Sequence, residues 1–590
     1  MITVGFYKGH CATACLLKDG RIIAAASEER FNRIKNADVF PRQALNFCLK
    51  QAGIKAQDVD LFVRIYEHPE GYVNPVGQTK TPKLMDLILL PLPYLRKLIF
   101  QFPNLGFFLK NTYIFLSKYI LAPYFQRQFS KNMAQFLNIN EKRIIFANHH
   151  LCHAYAVYFG FVPKADQSKY HLVITLDGEG DGLCSSVWTV TQNRWKKIAH
   201  TLGGNSPATF YGLVTHYLGM KMNEHEYKVM GLAPYASDDE VSKVYPLFKD
   251  LFWVDDNLVI HSKIPSGSYL SYFDKVLSHK RFDGIAGAAQ KFAEELVIEL
   301  VKKAIKKTGI KNVVLSGGFF MNVKANKKIA EIPDVESLVV CPTASDESAP
   351  FGGAHFGYQL LCQKKGELFN PQGIDNLYLG PEFSDKVIDG ILKKEKIIRF
   401  CEVKKYDDIE KQIAKLLSEG KIVGRFKGRM EWGARALGNR SILLDPARVD
   451  LKQELNNQIK SRDFWMPFAA TILEDRQKDY LINPKKIEAS FMAIGFSTTP
   501  KARLDLAAAI HPNDFTCRPQ ILKQEDNPDY YKLIKYFEKL TGIGAVLNTS
   551  FNYHGEPIIC TPKDAIHTFG VTRLKYLAIG NYLLTKHEKT

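Results

Sequence analysis

The ten cysteines of this sequence form no Cys-x-x-Cys pair, and no basic segment leads into an apolar run at its start. A zinc knuckle and a dithiol redox motif are thereby not expected, and a reducing cytoplasm is the expected compartment. Negative charge is also scarce. Asp and Glu total 61 against 79 Lys and Arg, a formal net charge of +18, which favours anionic partners over cationic ones. Long hydrophobic runs are missing too. The greasiest segment, residues 81–131, carries seven basic residues and one acidic, and its longest uncharged run is the 12 residues 98–109, which contain Pro103 and Gly106. A membrane-spanning helix needs about 20 apolar residues, so this segment does not span. Two readings fit it: a peripheral patch against anionic lipid headgroups, or a helical insertion packed on the main core, the second being favoured.

What the sequence has is core material for two to four domains, 46% hydrophobic over 590 residues. The opening "ITVGFYKGHCATACLLKDGRIIAAAS" reads as three strands, with Lys18-Asp19-Gly20 as a hairpin turn. Helical spacing of Ala44, Leu45, Phe47, Cys48 and Ala52 predicts a helix over 41–52, and "DVDLFVRI" predicts a further strand. A second copy of strand, glycine turn and strand follows at "YHLVITLDGEGDGLCSSVWTV", and "NVVLSGGFFMNVKANKKI" supplies a third glycine turn leading into a helix. Repetition of this unit predicts an α/β fold with an internal duplication. Glycine turns let backbone N–H groups approach an anion, so Gly178, Gly180, Gly317 and Gly318 are candidates for holding a nucleotide's phosphates. Residues 363–400 turn polar and irregular and read as a junction.

Two stretches carry chemistry. In "FANHHLCHAYAVYF", residues 146–159, His149 and His153 lie four apart and share one helix face; His150 with His153 is a competing pair. In "RFKGRMEWGARALGNR", residues 425–440, basic side chains alternate with glycines, a pattern suited to an oxyanion cradle.

These motifs occur in a definite order: "GHCATACLLKDGRIIAAASEERFNRIK", "NHHLCHA", "LDGEGDG", "NEHEYKVMGLAPYA", "LSGGFFMNVKAN", "DESAPFGGA", "GRMEWGARALGNRSILLDP", "RDFWMPFAA" and "LNTSFNYHGEPIICTPKDA". The chain thereby resembles the O-carbamoyltransferases of the nodulation-factor, cephalosporin and tobramycin type. The resemblance implies an actin-like, duplicated, threonylcarbamoyl-transferase-like nucleotide-binding domain over 1–370, with the apolar basic insertion at about 66–140. An α+β, carbamoyl-adenylate-forming (YrdC-like) domain would follow over 376–590. It also implies that carbamoyl phosphate and ATP, with Mg2+, give carbamoyl adenylate in the C-terminal part, and that the N-terminal part passes the carbamoyl group to a hydroxyl of a sugar, glycan or natural product.

Within that reading, His149 and His153 become the metal pair, joined by Asp346 and Asp177. Two histidines with carboxylates suit a borderline divalent ion, and the resemblance implies Fe(II). Arg429, Arg435, Lys460, Arg462 and Arg518 are assigned to carbamoyl phosphate and adenylate, with Ser550 and Asn552 of "NTSFN" as partners. An ordinary ion pair is the competing reading for each arginine. Asn322 and Asn326 are assigned to adenosine or ribose, against a role as helix caps. Lys35 and Lys228 are assigned to phosphate or acceptor, and His10 to the general base. The sequence departs from the family pattern at Cys11 (usually aspartate), Ala434 (usually proline), Met466 (usually arginine) and in "HPNDFTCR", where Asp514 and Arg518 align only approximately. A tRNA base or a protein thiol as acceptor, and a scaffold without catalysis, are the alternatives. The thiol reading predicts zinc-type cysteine pairs, which are absent, and no nucleic acid is expected as a partner. The oligomeric state, a dimer included, is not legible.

Overall fold

Asp19 and Gly20 both take positive φ, 48° and 84°, the backbone that a two-residue hairpin turn requires, and they join strands Thr13–Lys18 and Arg21–Ser27. Asp181 and Gly182 (52° and 79°) repeat the device between His171–Gly180 and Leu183–Thr191. The computed structural model describes residues 1–67, 122–192, 194–395 and 400–587.

Each hairpin belongs to a five-stranded sheet, and the two sheets are alike. Numbered in chain order, the first (Ile2–Tyr7, Thr13–Lys18, Arg21–Ser27, Leu61–Ile65, Ile144–Ala147) runs 3-2-1-4-5. The second (His171–Gly180, Leu183–Thr191, Arg194–Leu202, Asn312–Ser316, Ser337–Val340) runs 3-2-1-4-5 as well. In both, strand 1 is antiparallel to strand 2 and parallel to strand 4. This is the expected internal duplication, in the actin-like order. Helix His149–Phe161 packs on the second sheet and helix Ala349–Lys365 on the first, and the two helices meet. Their approach depends on glycine: a Cβ at Gly352 would lie 1.8 Å from the Cys152 carbonyl oxygen, and one at Gly5 1.8 Å from that of Pro350.

After helix Ala349–Lys365 the chain is irregular until helix Asp385–Lys394. It then builds an eight-stranded mixed sheet whose centre is Val423–Phe426, Arg440–Leu444, Ala545–Ser550 and Ala469–Leu473. Helices Ile409–Ser418 and Pro528–Thr541 bury Ile413, Leu417, Leu533 and Phe537 with this sheet. The result is the α/β duplication followed by an α+β unit. The two parts are tied by buried polar and aromatic contacts. Arg30 Nη2 donates to the Gly433 carbonyl (2.8 Å), Asn326 Nδ2 to that of Ala493 (2.8 Å), and the Phe351 and Trp432 ring centroids lie 4.2 Å apart.

The greasy insertion falls mostly outside the described residues. Its described end, helix Ala122–Leu137, turns Phe125, Phe129, Met133 and Leu137 inward, with the Arg64 guanidinium 4.3 Å above the Phe129 ring. That part is packed on the core of the first sheet. No helix among the described residues is long and apolar enough to cross a membrane. All ten cysteines are buried free thiols.

Candidate active site

Asn148 begins the histidine helix, its side-chain oxygen accepting from Leu151 N at 3.1 Å. Asp181, in the turn of the second sheet, accepts from His149 N at 2.7 Å and so pins the same terminus. The first helical turn then points His149 and His153 at each other, their Nε2 atoms 3.1 Å apart and both rings buried. Two carboxylates close on them. Asp177 Oδ2 lies 3.7 and 3.2 Å from the two Nε2 atoms, and Asp346 Oδ1 lies 3.6 and 3.4 Å from them. Asp177 is itself held by Gly178 N (2.6 Å) and Gly318 N (3.0 Å), and His153 Nδ1 stands 3.2 Å from Ser348 Oγ.

This donor set fits a divalent ion. Two imidazole nitrogens each about 2.1 Å from one ion stand about 3.0–3.4 Å apart at octahedral to tetrahedral angles; the two Nε2 atoms here are 3.1 Å apart, and all four facing atoms lie within 4.8 Å of one another. Two carboxylates with two neutral imidazoles also sum to the charge a dication balances. Burial favours the neutral form of His153, but Asp177 and Asp346 outweigh it and push the imidazole up to about 9. For Asp177, burial is outweighed in turn by His149 and His153, which hold it well below the usual carboxylate range. His150 is elsewhere engaged. Its Nε2 donates to the Leu183 carbonyl at 3.0 Å, which leaves Nδ1 to accept from Thr175 Oγ1 (2.9 Å), and burial pushes it down to about 3.

A cavity of about 600 Å³ opens from this cluster and is lined by both parts of the chain. On one side are His10, Lys35, Asp177, Gly178, Gly318, Asn322 and Asp346; on the other are Arg435, Lys460, Arg462, Arg518, Ser550 and Asn552. Among the described residues, none of the four cations on the second side forms an ion pair with a carboxylate. Burial lowers Arg518 well below its usual value, helped by Arg435 and Arg462, and burial pushes Arg435 down to about 10. Lys460 is likewise lowered, first by burial and then by Arg462 and Lys35. It donates to Asn552 Oδ1 (2.6 Å) and Ser550 Oγ (3.2 Å), so these three form one unit. Three half-buried arginines beside the buried Lys460, without a carboxylate partner among the described residues, make this wall a candidate anion site.

Several expectations are corrected. Arg429 does not line the cavity: its guanidinium donates to the carbonyls of Leu379 (2.8 Å), Ile23 (3.2 Å) and Gly380 (3.3 Å). Arg425 and Arg440 are spent in the same way on Gly438 and on Lys427, Gly428 and Asn439, so of the basic stretch only Arg435 reaches the cavity. Those arginines stiffen the loop between two strands rather than cradle an anion. Asn326 is fully buried, its Nδ2 used by Phe320 and Ala493, so it is not open to a nucleoside; Asn322 lines the cavity while its side chain caps helix Val323–Ala330 and bonds Gln290. Gly180 and Gly317 do not line the cavity; they permit close packing instead, since a Cβ would lie 2.3 Å from the Leu176 carbonyl oxygen at Gly317 and 2.1 Å from His149 Cδ2 at Gly180. Lys35 and Lys228 line it but are paired, with Glu224 (2.8 Å) and Asp463 (3.0 Å). His10 Nε2 bonds the Asn223 carbonyl at 3.0 Å and must therefore carry its proton there, leaving Nδ1 as its basic nitrogen.

Tyr7, Arg30, Asp181 and Glu347 also belong to the site and were not singled out. Tyr7 ends the first strand two residues before the Gly9 turn, and Glu347 follows Asp346, but nothing in either stretch of sequence says what the side chain faces. Gly180→Ala is expected to displace the His149 ring, weakening Mn2+ binding by about tenfold or more. The same change should cost about 1–3 kcal/mol of stability. Isothermal titration with Mn2+ and urea unfolding of the metal-free protein check the two effects separately.

A family described as carbamoyltransferase N-terminus matches residues 3–355, and one described as carbamoyltransferase C-terminus matches 414–586. An uncharacterized protein of Methanocaldococcus jannaschii is 32% identical, with 99% of each chain covered. An uncharacterized protein of Synechocystis is 29% identical over 98% of this chain and 95% of its own. The nodulation protein NolNO of Sinorhizobium fredii is 28% identical over 98% and 79%. Among solved structures, full-length HypF in its phosphate- and nucleotide-bound form aligns at a TM-score of 0.32 and 14% identity, covering 61% of this chain and 56% of its own.

Proposed function

The chain belongs to the carbamoyltransferase family, and from that premise we propose that it is an ATP-dependent O-carbamoyltransferase working through carbamoyl adenylate. Carbamoyl phosphate is a poor direct donor to an alcohol, because its carbonyl is deactivated by nitrogen and its phosphate dianion repels nucleophiles. Adenylation leaves the nitrogen in place but replaces the dianion with a monoanionic phosphodiester, so the nucleophile is repelled less and AMP is the leaving group. The balance is carbamoyl phosphate, water and ATP in; carbamoyl adenylate, phosphate and pyrophosphate out. The acceptor oxygen then attacks the carbamoyl carbon, AMP leaves with the bonding pair, and the hydroxyl proton goes to a base.

The observation that carries this reading is one cavity lined both by cations without carboxylate partners among the described residues and by Asp177 and Asp346 of the His–Asp cluster. Arg435, Lys460, Arg462 and Arg518 would neutralise the crowded phosphates during adenylation, ATP entering with Mg2+. Lys460 orients Ser550 and Asn552 through its own hydrogen bonds, giving a hydroxyl and an amide beside those cations. His149, His153, Asp177 and Asp346 would hold a divalent ion, Fe(II) by the family resemblance, which when bound supplies a Lewis-acid contact for a phosphate or carbonyl oxygen. His10 would take the acceptor proton at Nδ1. The two parts of the chain divide the work accordingly, 376–590 making the intermediate and 1–370 delivering the carbamoyl group. The acceptor class is a hydroxyl of a sugar, glycan or other natural product. Incubation of the metal-loaded protein with carbamoyl phosphate and ATP, without acceptor, is expected to release pyrophosphate and phosphate together. Metal-loaded protein that releases neither would refute the reading.

A further inference from the structure

The two oxygens of Asp346 have different neighbours. Oδ1 faces the imidazoles, 3.6 Å from His149 Nε2 and 3.4 Å from His153 Nε2, whereas Oδ2 accepts a hydrogen bond from the Tyr7 hydroxyl at 2.7 Å. We propose that Tyr7 is a positioning residue for the four-ligand cluster: by tying down Oδ2 it keeps Oδ1 turned toward the two histidines and prevents the carboxylate from swinging out into the cavity. The inference rests on the reading that the cluster holds a divalent ion.

Tyr7 is built for this. It ends the first strand, its backbone paired with Thr13, and its ring is buried between Tyr66 and His149, with ring centroids 6.3 and 6.4 Å away. Room for the hydroxyl comes from Gly9, at φ 151°, where a Cβ would lie 2.7 Å from the Tyr7 oxygen. That contact is closer than real side chains tolerate. The glycine of this turn thus has a use other than approach to phosphate: it admits the phenol that reaches Asp346. Asp346 otherwise lines the cavity at the start of the short turn Asp346–Ser348, its side chain 19% exposed.

Chemistry also favours a phenol here. Two carboxylates and two neutral imidazoles are balanced by one dication. A Lys or Arg on Oδ2 would orient Asp346 equally well, but its charge would repel the ion and compete for the carboxylate. A neutral O–H donor fixes the geometry and leaves the charge balance intact. Hydrogen-bond partners of this kind typically change metal affinity by about 10–100-fold when removed. Tyr66 supplies the matched control: its ring also flanks His149, at 5.2 Å, but its hydroxyl donates to the Glu179 carbonyl at 3.1 Å rather than to a ligand.

The test is Mn2+ binding to the full chain, read as loss of the free-ion signal in electron paramagnetic resonance. Tyr7→Phe, which removes only the hydroxyl, is expected to bind Mn2+ about 10–100-fold more weakly. Tyr66→Phe is expected to stay within about twofold of the parent. On an Asp346→Asn background, Tyr7→Phe should cause no further loss, because its effect runs through that carboxylate. Tyr7→Phe affinity within about twofold of the parent, or full additivity with Asp346→Asn, overturns the proposal. If the circular dichroism of metal-free Tyr7→Phe shows it unfolded, Tyr7→Met is titrated instead and judged by the same thresholds. Failure of the parent protein itself to bind Mn2+ would sink the reading of the cluster, whereas a binding parent with an unaffected Tyr7→Phe sinks only the role of Tyr7.

Discussion

Arg518→Gln is expected to slow carbamoyl-phosphate-dependent pyrophosphate release by about 10²–10³-fold while leaving metal content unchanged. Arg518 lines the cavity, makes no ion pair among the described residues, and is held well below its ordinary value by burial and by Arg435 and Arg462. Cations in that state repel one another until an oxyanion arrives. Losing one should therefore remove stabilisation of the adenylation transition state, worth about 3–4 kcal/mol for a single preorganised group. It should not weaken the fold. The unliganded variant is expected to melt at or above the parent temperature, and the extra stabilisation that ATP confers on the parent should shrink. Thermal scans with and without ATP, beside a coupled pyrophosphate assay, read both signs. Unchanged turnover, or a variant that simply unfolds early, would mean that Arg518 supports the fold instead of binding an anion.

His153→Ala should divide the reaction in two. AMP release from the intermediate, to a sugar hydroxyl or slowly to water, is expected to fall by about 10³-fold, since Lewis-acid stabilisation is worth several kcal/mol. Burst release of pyrophosphate should change by less than about threefold, because the cations of the opposite wall are not touched by the substitution. His153 is chosen because it is fully buried, faces both carboxylates and is backed by Ser348 and Ser316, so no other side chain can take its place. Bound metal, measured by plasma mass spectrometry on the same preparation, should drop with it. A parallel fall in both half-reactions would show one shared centre and contradict the division of labour.

Local features were legible from the sequence because their causes are local. The hairpins follow from turn residues that accept positive φ and the helix over 42–51 from apolar spacing; helical spacing allowed His153 to pair with either His149 or His150, and the family resemblance favoured His149. The duplication was visible as a repeated strand–glycine–strand pattern, and the sheets share one strand order. What misled was reading chemistry from residue type. The stretch 425–440 is rich in arginine, yet Arg425, Arg429 and Arg440 turn to backbone carbonyls, and composition cannot distinguish a guanidinium that satisfies a loop from one that awaits an anion. Asn326 shows the same limit, its Nδ2 being used by the carbonyls of Phe320 and Ala493.

By itself the sequence determined a helix that sets histidines on one face, the repeated strand–glycine–strand pattern, and the excess of positive charge. Only the tertiary structure decided which carboxylate oxygens meet those histidines, that Tyr7 rather than a cation orients one of them, and which four of the basic side chains lining their cavity have no carboxylate partner among the described residues. The reason is physical. A helix or turn is settled by neighbours a few residues away, whereas a site is settled by whichever groups from distant strands are left facing a cavity once every other donor has found a carbonyl.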